Sequence, residues 1–414
     1  MISRRKLLQS IGLMGAIPLI GAPKLSWAND KHIVIVGGGT AGVIAARYLK
    51  LLTPSLKITL IEKNEKYKPA FVSNTILSGL VQPEKYSFSY TALSTMGIEV
   101  MHDTVTEIDP VKNTIKLTSK SITYDRLIMA TGISLDNSEI PGLKADKNHA
   151  WLAGSNIDSL KSQIQSIQNG GNILVSVPQG DYSGPWAAYE RVSQIANYCK
   201  NTAKKAKITL LMGNKKPAYM PLFENAWQTL YPDMIDVLFE HKVTELNAKS
   251  AVTNKGSIKA DALNIVPPNN ANVIAAKHGL TDDTNWCPVQ LGTFKSQKFE
   301  NIYVIGDAIS AKTGLSKTAQ SANSQAKLCA IGIANEIAGK SAFLDLPPII
   351  DSEYCILGKN TAVSRTSIFR IDKQGKMSVA SNGISSVDAP DKQRIREAQY
   401  AMSWYNNITA EMFG

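Results

Sequence analysis

The sequence predicts an α/β protein made of two parallel-sheet units and a small C-terminal α+β unit. A strand, a glycine-rich turn and a helix over residues 33–49 predict the first unit, and a second strand-led segment over residues 171–191 predicts the next. A break at Leu346-Pro347-Pro348 precedes strand-like and then helical sequence, which predicts the third unit. With 414 residues, 44% of them hydrophobic, the chain can fill several cores.

The first unit is predicted to bind an adenine dinucleotide. Residues 33–36 are apolar and mostly β-branched, as in a buried parallel strand, and Gly37, Gly39 and Gly42 follow with the spacing G-x-G-x-x-G. The first glycine permits a tight turn, the second lets the backbone approach a pyrophosphate, and the third packs the helix on the strand. Glu62 ends the second strand, 20 residues beyond Gly42, where a carboxylate accepts the ribose hydroxyls of an adenosine.

Residues 1–28 are predicted to be a twin-arginine signal peptide. Arg4 and Arg5 precede an apolar stretch over residues 11–20, and Ser26-Trp27-Ala28 is a small-x-small cleavage site. The twin-arginine route exports folded proteins, which suits a protein that acquires a cofactor first, and it predicts a periplasmic location. An uncleaved anchor is the alternative, although glycine and proline break the short apolar stretch. No second apolar run in the sequence is long enough to cross a membrane.

The net charge and the cysteine spacing restrict which partners and cofactors are expected. The net charge of +11 favours an anionic substrate or an acidic partner surface, or has no specific meaning. Basic residues are scattered and no nucleic-acid motif is present, so no nucleic-acid partner is expected. The four cysteines lack C-x-x-C and C-x-x-C-H spacing, so neither a metal site nor a haem of the chain's own is predicted. Cys199 and Cys329 are predicted to be small buried residues, and Cys287 precedes a proline in a loop.

Two later segments are predicted to complete the dinucleotide site. Ala130-Thr131-Gly132 ends a short apolar strand, as at the close of the first half of flavin domains. Gly306-Asp307 follows another buried strand, where flavoproteins place an aspartate that accepts hydrogen bonds from the ribityl chain of FAD. A helix from about Thr318 would direct its positive N-terminus at the flavin. Lys317 either adds to that charge or is an ordinary solvated lysine.

The second unit lacks a nucleotide-binding loop. Its strand, residues 171–177, runs into residues 178–191, which contain two prolines, an acid and bulky aromatic side chains instead of a glycine loop. Such residues obstruct the backbone cradle that a pyrophosphate needs. We therefore expect this unit not to bind NAD(P), so that electrons leave by another route.

Several motifs beyond the glycine loop resemble the flavoprotein subunit of flavocytochrome c sulfide dehydrogenase, over essentially the whole chain. Shared flavin chemistry does not require these motifs, so the set is specific. They are Tyr189-Glu190-Arg191, Trp286-Cys287-Pro288-Val289 with Thr293-Phe294, Ser321-Ala322-Asn323-Ser324-Gln325-Ala326-Lys327, and Glu397-Ala398 through Ser403-Trp404-Tyr405.

The resemblance implies a domain organisation, a cofactor and a partner. It implies a glutathione-reductase-like FAD domain over residues 29–149 and 264–344, a second Rossmann-like domain over residues 150–263, and a C-terminal domain over residues 345–414. The family is periplasmic and carries FAD, and its partner is a c-type cytochrome subunit. In that family sulfide, a small anionic sulfur substrate, is oxidised beside the flavin at a redox-active cysteine pair, and electrons pass singly to haem.

Two departures from the family pattern change the expected chemistry. The cysteine that ties FAD covalently in the best-known members is matched here by Ala70, so we predict non-covalent FAD. The first redox cysteine is matched by Gly184 and the second by Cys355, so the disulfide is expected to be absent. Sulfide would then attack the flavin or an oxidised Cys355, and that thiol could contact the flavin, carry a persulfide, or be inert and buried. Glu190 either moves a proton near the flavin or forms a structural ion pair.

The sequence therefore predicts an exported FAD-dependent oxidoreductase that oxidises sulfide or a related sulfur compound and reduces a c-type cytochrome. The alternatives are a flavoprotein acting on another small donor and a non-catalytic electron-transfer or assembly subunit. The candidate catalytic residues are Cys355, Glu190 and Lys317. The predicted cofactor-binding residues are Gly37, Gly39, Thr40, Ala41, Gly42, Glu62, Lys63, Ala70, Thr131, Gly132, Gly306, Asp307 and Lys317.

Overall fold

A computed structural model describes residues 31–144, 148–152 and 157–414, so the predicted signal peptide lies outside the described residues. The strands are β1 (His32–Val36), β2 (Lys57–Ile61), β3 (Lys66–Tyr67), β4 (Phe88–Ser89), β5 (Glu99–Met101), β6 (Val105–Asp109), β7 (Thr114–Leu117), β8 (Ser121–Thr123), β9 (Arg126–Met129), β10 (Ile133–Leu135), β11 (Asn172–Val177), β12 (Lys207–Met212), β13 (Ile235–Phe239), β14 (Val243–Asn247), β15 (Ser250–Thr253), β16 (Gly256–Lys259), β17 (Ala262–Ile265), β18 (Asn269–Ala271), β19 (Ile302–Val304), β20 (Ile349–Gly358), β21 (Thr361–Ile371) and β22 (Met377–Ile384). The helices are α1 (Thr40–Leu52), α2 (Asn74–Leu77), α3 (Thr91–Thr95), α4 (Ile157–Ser166), α5 (Ala187–Asn201), α6 (Met220–Leu230), α7 (Val273–Lys277), α8 (Ala319–Ile337) and α9 (Asp391–Phe413).

The first unit is a five-stranded parallel sheet with the order β19-β9-β1-β2-β5. Its central strand β1 is buried on both faces, because Ile33, Val34 and Ile35 have no exposed surface. Helices α1 and α8 pack against each other beside this sheet, and a small antiparallel sheet, β6-β7-β8, precedes β9. The strand β19 comes from a later part of the chain, so the first unit is assembled from two separate segments.

The second unit is a four-stranded parallel sheet with the order β13-β12-β11-β17. Helix α5 follows β11 and buries Val192, Ile195 and Ala196. The last strand β17 pairs Asn264 with Val175, so this sheet extends to residue 265, slightly beyond the predicted boundary at residue 263. The chain passes from the first unit to the second and back again, and the strands at these two passages, β10 and β18, form an antiparallel pair. The mixed α/β fold with two parallel sheets is as predicted.

The C-terminal unit is an antiparallel sheet, β20-β21-β22, followed by the long helix α9. The helix begins after Pro390 and contains the predicted helical residues 397–405. At its end, Tyr48 Oη donates to Glu411 at 2.9 Å and the Phe413 ring stacks on Phe88 at 5.2 Å. The C-terminal unit therefore packs on the first unit, which supports the small α+β domain expected from the sequence.

All four cysteines are buried and unpaired. Cys287 has no exposed surface and its backbone pairs with Ile309, so it is a core residue rather than part of an open loop. Within the described ranges no cluster of three or more His, Cys, Asp or Glu side chains could hold a metal ion. A search of the same ranges found no helix whose length and apolar character would let it cross a membrane.

Candidate active site

The glycine turn between β1 and α1 leaves backbone donors open. Gly37 has φ +105°, and a Cβ there would collide with the carbonyl of Ala130, so only glycine fits this position. A Cβ on Gly42 would collide with Gly37 O, which shows how closely α1 packs on the turn. Gly39 precedes α1 without any side-chain cap, and no atom lies within 4 Å of the place where its Cβ would be. The N-terminus of α1 therefore offers free N–H groups to an anion.

Glu62 faces this turn from the end of β2. Its Oε2 accepts a hydrogen bond from Gly38 N at 2.8 Å, and its Oε1 accepts one from Asn64 N at 2.9 Å. The carboxylate is thus fixed beside the turn, with acceptor capacity left for ribose hydroxyls. Of the other predicted contacts, Thr40 Oγ1 lies 3.3 Å from Tyr67 Oη, Ala41 is buried, and Lys63 is exposed.

Thr131, Gly132 and Gly306 lie at the same edge of the sheet, because β1, β9 and β19 are parallel and end together. Thr131 Oγ1 is buried and has no hydrogen-bond partner in the part of the chain that is described. No atom lies within 4 Å of the Cβ position of Gly132. An unpaired buried hydroxyl beside open space indicates a place that a bound polar group completes.

Asp307 and Lys317 close this edge of the site. Lys317 Nζ donates to Asp307 O at 2.9 Å and to Ile309 O at 2.7 Å, and it lies 3.5 Å from the centroid of the Trp286 ring. Burial lowers the pKa of Lys317 to about 8, and burial raises the pKa of Asp307, whose Oδ2 accepts from Ser183 Oγ. Lys317 is 5% exposed, so the alternative of an ordinary solvated lysine is wrong.

Helix α8 begins beside Lys317. Thr318 caps it, because its Oγ1 accepts from Ser321 N at 3.1 Å. The helix start and the lysine add positive charge beside Asp307, while Glu62 lies beside the start of α1. Together these groups fit a long dinucleotide, with the pyrophosphate at α1, the ribose at Glu62 and the flavin near Lys317.

Ala70 begins a short 3₁₀ helix, Ala70–Val72, after Pro69. The segment that follows carries Asn74, whose Nδ2 donates to Glu190 Oε2 at 2.9 Å. Ile356 N donates to the other oxygen of Glu190 at 2.9 Å. Burial raises the pKa of Glu190 to about 7, against the lowering effect of these two donors.

Glu190 forms no ion pair with a side chain in the described ranges. Its neighbour Arg191 turns away and donates from Nε to Asn74 Oδ1 at 2.9 Å and from Nη1 to Asn264 Oδ1 at 2.8 Å. The structural ion pair considered from the sequence is therefore not formed. The buried carboxyl of Glu190 instead stands next to Cys355, whose neighbour Ile356 it binds.

Cys355 lies beneath the first turn of α5 and has no exposed surface. Its Sγ is 3.9 Å from Trp186 O, and burial, with Glu190 and Glu353 nearby, raises the pKa of the thiol well above 9. A thiolate nucleophile needs the opposite surroundings, with partial exposure and positive charge. The geometry therefore supports the inert, buried alternative for this cysteine.

Gly184 is held in a conformation that suits glycine. Its φ is +69°, its N–H donates to Lys317 O at 2.9 Å, and a Cβ would lie 3.0 Å from that of Ala187. The turn therefore touches the lysine edge of the FAD site. The side chain that binds this turn is Glu353, whose Oε1 accepts from Trp186 N at 2.8 Å.

The predicted residues thus form two adjoining groups. The glycines, Glu62, Thr131, Asp307 and Lys317 lie at one edge of the first parallel sheet, while Glu190 and Cys355 lie behind the α5 turn. Sequence reasoning missed Asn74, Glu353 and Arg365, since their partners are distant in the chain. Glu353 and Arg365 lie opposite each other in the β20–β21 hairpin, a signal that only the hairpin register could have supplied.

Bulky aromatic side chains pack around the start of α5 in the second unit. After β11, Trp186 packs edge-on to Phe223 at 5.1 Å between ring centroids, and Tyr189 stacks on Phe223 at 4.4 Å. Trp186, Tyr189 and Phe223 are almost completely buried. The spacing G-x-G-x-x-G of the β1–α1 turn does not recur between β11 and α5.

Family models match three parts of the chain. Residues 157–267 match the sulfide dehydrogenase [flavocytochrome c] flavoprotein chain, central region, and residues 354–413 match the flavocytochrome c sulphide dehydrogenase flavin-binding region. Residues 31–175 match the pyridine nucleotide-disulphide oxidoreductases. The predicted resemblance is therefore confirmed.

Curated relatives and solved structures agree with these family matches. The mitochondrial sulfide:quinone oxidoreductase of Mus musculus is 23% identical over 73% of this chain and 72% of that protein. The sulfide dehydrogenase [flavocytochrome c] flavoprotein chain of Chlorobaculum thiosulfatiphilum is 39% identical over 48 residues, 12% of this chain and 100% of that sequence. The structure of the sulfide:quinone oxidoreductase from Aquifex aeolicus superimposes with a TM-score of 0.72 at 18% identity, covering 92% of both chains, and confirms the fold.

The cofactor of this fold, given the matched flavin-binding region and the dinucleotide site, is FAD. The chain is an FAD-dependent oxidoreductase by family, and it belongs with the sulfide-oxidising flavoproteins that include the flavocytochrome c sulfide dehydrogenase flavoprotein chain and the sulfide:quinone oxidoreductases.

Proposed function

We propose that the chain is a periplasmic flavoprotein that oxidises sulfide or a related reduced sulfur compound and passes the electrons to a c-type cytochrome. One observation carries the proposal. The turn from β1 into α1 has the spacing G-x-G-x-x-G with Glu62 beside it, whereas the turn from β11 into α5 lacks that spacing and leads into the bulky side chains of Trp186 and Tyr189. Electrons that reach the flavin therefore leave to a partner outside the chain and not to a nicotinamide bound within it.

The residues of the site have separate tasks in this function. The start of α1 and Glu62 would hold the pyrophosphate and ribose of FAD, and Asp307 would hold the ribityl chain. Lys317 would place a positive charge beside a bound flavin, and that charge would favour the acceptance of electrons. When bound, FAD accepts an electron pair from a donor and releases electrons one at a time.

A c-type cytochrome is the favoured acceptor because two family-specific regions, residues 157–267 and 354–413, match the flavocytochrome c family. A quinone is the second candidate, since several relatives carry the name sulfide:quinone oxidoreductase. The two acceptors demand different surfaces: a cytochrome docks on a protein face, and a quinone needs an apolar path to the flavin.

The test is anaerobic addition of sulfide to purified holoprotein, with the oxidised flavin absorbance followed near ~450 nm. Free FAD at the same concentration measures reduction without the protein. We expect rapid bleaching, then reoxidation by a c-type cytochrome and not by a soluble ubiquinone analogue. Reoxidation by the quinone alone would favour the second candidate.

Other donors separate the remaining alternatives. Bleaching by a thiol or by sulfite, with no response to sulfide, would indicate a flavoprotein for another small donor. A flavin that none of these donors bleaches, but that dithionite still reduces and a c-type cytochrome still reoxidises, would indicate an electron-transfer or assembly subunit.

The proposed location has its own test. Arg4→Lys combined with Arg5→Lys should leave unprocessed precursor in the cytoplasm, because the twin-arginine pair is required for export. The unchanged chain should be recovered from the periplasm with an N-terminus near residue 29. If the unchanged chain is instead recovered in the membrane fraction and still carries its N-terminal 28 residues, the uncleaved anchor is favoured.

A further inference from the structure

One carboxylate holds the segment that carries Lys317 from both sides. Asp351 Oδ2 accepts a hydrogen bond from Ser316 N at 3.2 Å, and Asp351 Oδ1 accepts one from Thr318 Oγ1 at 3.0 Å. Ser316 and Thr318 are the two sequence neighbours of Lys317. These two hydrogen bonds, the Asp351 clamp, therefore fix the chain directly before and directly after the lysine.

Asp351 belongs to the C-terminal unit and not to the unit that it clamps. It lies near the start of strand β20, where it pairs with Ser367 of β21 in the antiparallel ladder. It is 6% exposed, and β20 packs on helix α8, which begins beside the lysine. The ladder fixes the position of the carboxylate, so the clamp ties the lysine segment to a regular sheet.

Two further contacts hold the same segment. Arg365 Nη2 donates to Ser316 Oγ at 3.0 Å, and Gly184 N donates to Lys317 O at 2.9 Å. Neither contact reaches Thr318, whose Oγ1 binds Asp351 while it also caps α8. Within the described ranges, Asp351 is the one side chain that binds both neighbours of the lysine.

The ammonium of Lys317 depends on the position of this segment. Its Nζ donates to the carbonyl oxygens of Asp307 and Ile309, at 2.9 Å and 2.7 Å, and it lies over the ring of Trp286. A lysine carries its charge on a flexible four-carbon stem, so such contacts persist only while the backbone is held in place. Release of the segment would therefore let the charge move away from its present position.

Asp351 acts on this lysine through hydrogen bonds and not through its charge. The ionisable groups whose charges act on the ammonium belong to Asp307, Asp181 and Cys287. The charge of Asp351 acts on Asp307 instead. Loss of Asp351 should thus have two separate effects on a bound flavin, one from its missing charge and one from release of the lysine.

We propose that Asp351 is a positioning residue that holds the ammonium of Lys317 beside the flavin. Through this residue the C-terminal unit helps to set the reduction potential of a cofactor that binds to the first unit. The inference rests on the place given to Lys317 in the proposed function, but it does not depend on sulfide as the donor.

The test is a double-mutant cycle that is read by the reduction potential of the FAD-loaded protein near neutral pH. The drop in potential caused by Lys317→Met is measured in the original chain and again in Asp351→Ala. We expect a clearly smaller drop in Asp351→Ala, because a released lysine has less influence on the flavin to lose. The direct charge effect of Asp351 is the same with and without the lysine, so it cancels.

The pH dependence of this drop gives a second readout. Burial lowers the pKa of Lys317 to about 8, and a released lysine gains water, which raises its pKa towards the ordinary value of 10.5. In Asp351→Ala the remaining drop should therefore persist to a higher pH than in the original chain. A purely structural role would lower the free energy of unfolding without moving this pH.

Asp125→Ala is the matched control. The carboxylate of Asp125 also binds one backbone N–H and one side chain, His32 N at 2.8 Å and Lys31 Nζ at 2.9 Å. It precedes β9 at the opposite edge of the first sheet from the FAD site. The drop caused by Lys317→Met should be the same in Asp125→Ala as in the original chain.

Two conservative variants guard against misfolding. Asp351→Glu keeps the charge and both acceptor oxygens, and it should restore most of the drop. Asp351→Asn keeps the size but has one acceptor oxygen for two donors, so the drop should be smaller than in the original chain. If Asp351→Ala does not retain FAD, the Asn variant decides.

The outcomes separate this inference from the proposed function. An unchanged drop in the Ala and Asn variants would overturn the positioning role, and so would a Lys317→Met variant with the original potential. A smaller drop in a protein whose flavin sulfide does not bleach would support the positioning role and refute the proposed donor. Bleaching by sulfide together with an unchanged drop would support the function alone.

Discussion

The side-chain amide of Asn74 donates a hydrogen bond to Glu190 at 2.9 Å, across 116 residues of sequence. The amide cannot rotate, because its oxygen accepts from Arg191 Nε at 2.9 Å and its nitrogen also donates to Ala187 O at 3.1 Å. Arg191 thereby orients Asn74, and Asn74 always presents a donor to the carboxyl. The segment after Ala70 and helix α5 are locked together at the back of the site.

We expect Glu190 to make the protein less stable as the pH rises. The folded pKa of about 7 lies above the ordinary value of 4.5, so the folded protein holds this proton more tightly. Its stabilising contribution is complete below about pH 4.5 and is lost as the pH rises through about 7, on the order of 3 kcal/mol in all. Glu190→Gln should remove this dependence. The measurement is the free energy of urea unfolding of both proteins between pH 4 and pH 8.

At each pH the free energy of unfolding of the unchanged chain is subtracted from that of Glu190→Gln. This difference should become more positive as the pH rises, because only the unchanged chain loses unfolding free energy. Glu65→Gln, which removes an exposed carboxyl, controls for the change in net charge. A difference that stays constant over the whole range would show that Glu190 titrates in the folded protein as it does in the unfolded chain.

Lys317 should raise the reduction potential of the bound flavin. The buried ammonium and the start of α8 together favour negative charge at this edge. In Lys317→Met the potential should fall, and the difference from the unchanged chain should narrow as the pH rises through about 8, where the lysine loses its proton. The measurement is a spectroscopic redox titration at several pH values.

Lys327→Met is the matched control for this lysine. It removes a lysine inside α8 that pairs with Glu411 at 2.7 Å, away from the start of that helix. The control should keep the original potential. Equal potentials in Lys317→Met and the unchanged chain, at equal FAD content, would show that the Lys317 charge does not reach the flavin.

Local sequence patterns were enough to predict the dinucleotide half of the site. The turn at Gly37, the helix α1 and Glu62 lie within one strand–helix–strand unit, whose geometry follows from short-range rules. The strand before Gly306 and the cap at Thr318 carry equally local signals. Parallel strands then bring these separate segments to one edge without further information.

The remaining half depended on contacts that no local pattern encodes. Glu353 faces Arg365 only because of the register of the β20–β21 hairpin, which contains an irregularity after Ile356. Asn74 meets Glu190 through the docking of the second unit on the first. For the same reason the sequence could place Lys317 at a helix start but could not show that it is buried under Trp286.

FAD should be bound without a covalent link. The residue that matches the covalent cysteine is Ala70, which begins the 3₁₀ helix Ala70–Val72 and has no nucleophilic atom. Acid precipitation should therefore leave all flavin in the supernatant and a colourless pellet. A yellow pellet that keeps its flavin after washing in denaturant would contradict this prediction. Mass spectrometry of the intact chain gives an independent check, since it should show no added flavin mass.

Removal of the Cys355 thiol should leave flavin reduction almost unchanged. The thiol is buried, and burial holds its pKa well above 9, so no thiolate forms near neutral pH. Cys355→Ser keeps the size but buries a hydroxyl beside Leu357 and Val363, whereas Cys355→Ala leaves a small cavity. Each change should cost about 1–2 kcal/mol of unfolding free energy.

The two variants together separate stability from chemistry at Cys355. The measurement is the rate of flavin reduction by sulfide at equal FAD content, which should stay within about twofold of the original rate. A loss of tenfold or more in both variants, under conditions in which both are fully folded and hold equal FAD, would show that the sulfur takes part in electron transfer. A loss confined to Cys355→Ser would instead follow from the buried hydroxyl, because alanine also lacks the thiol yet retains the rate.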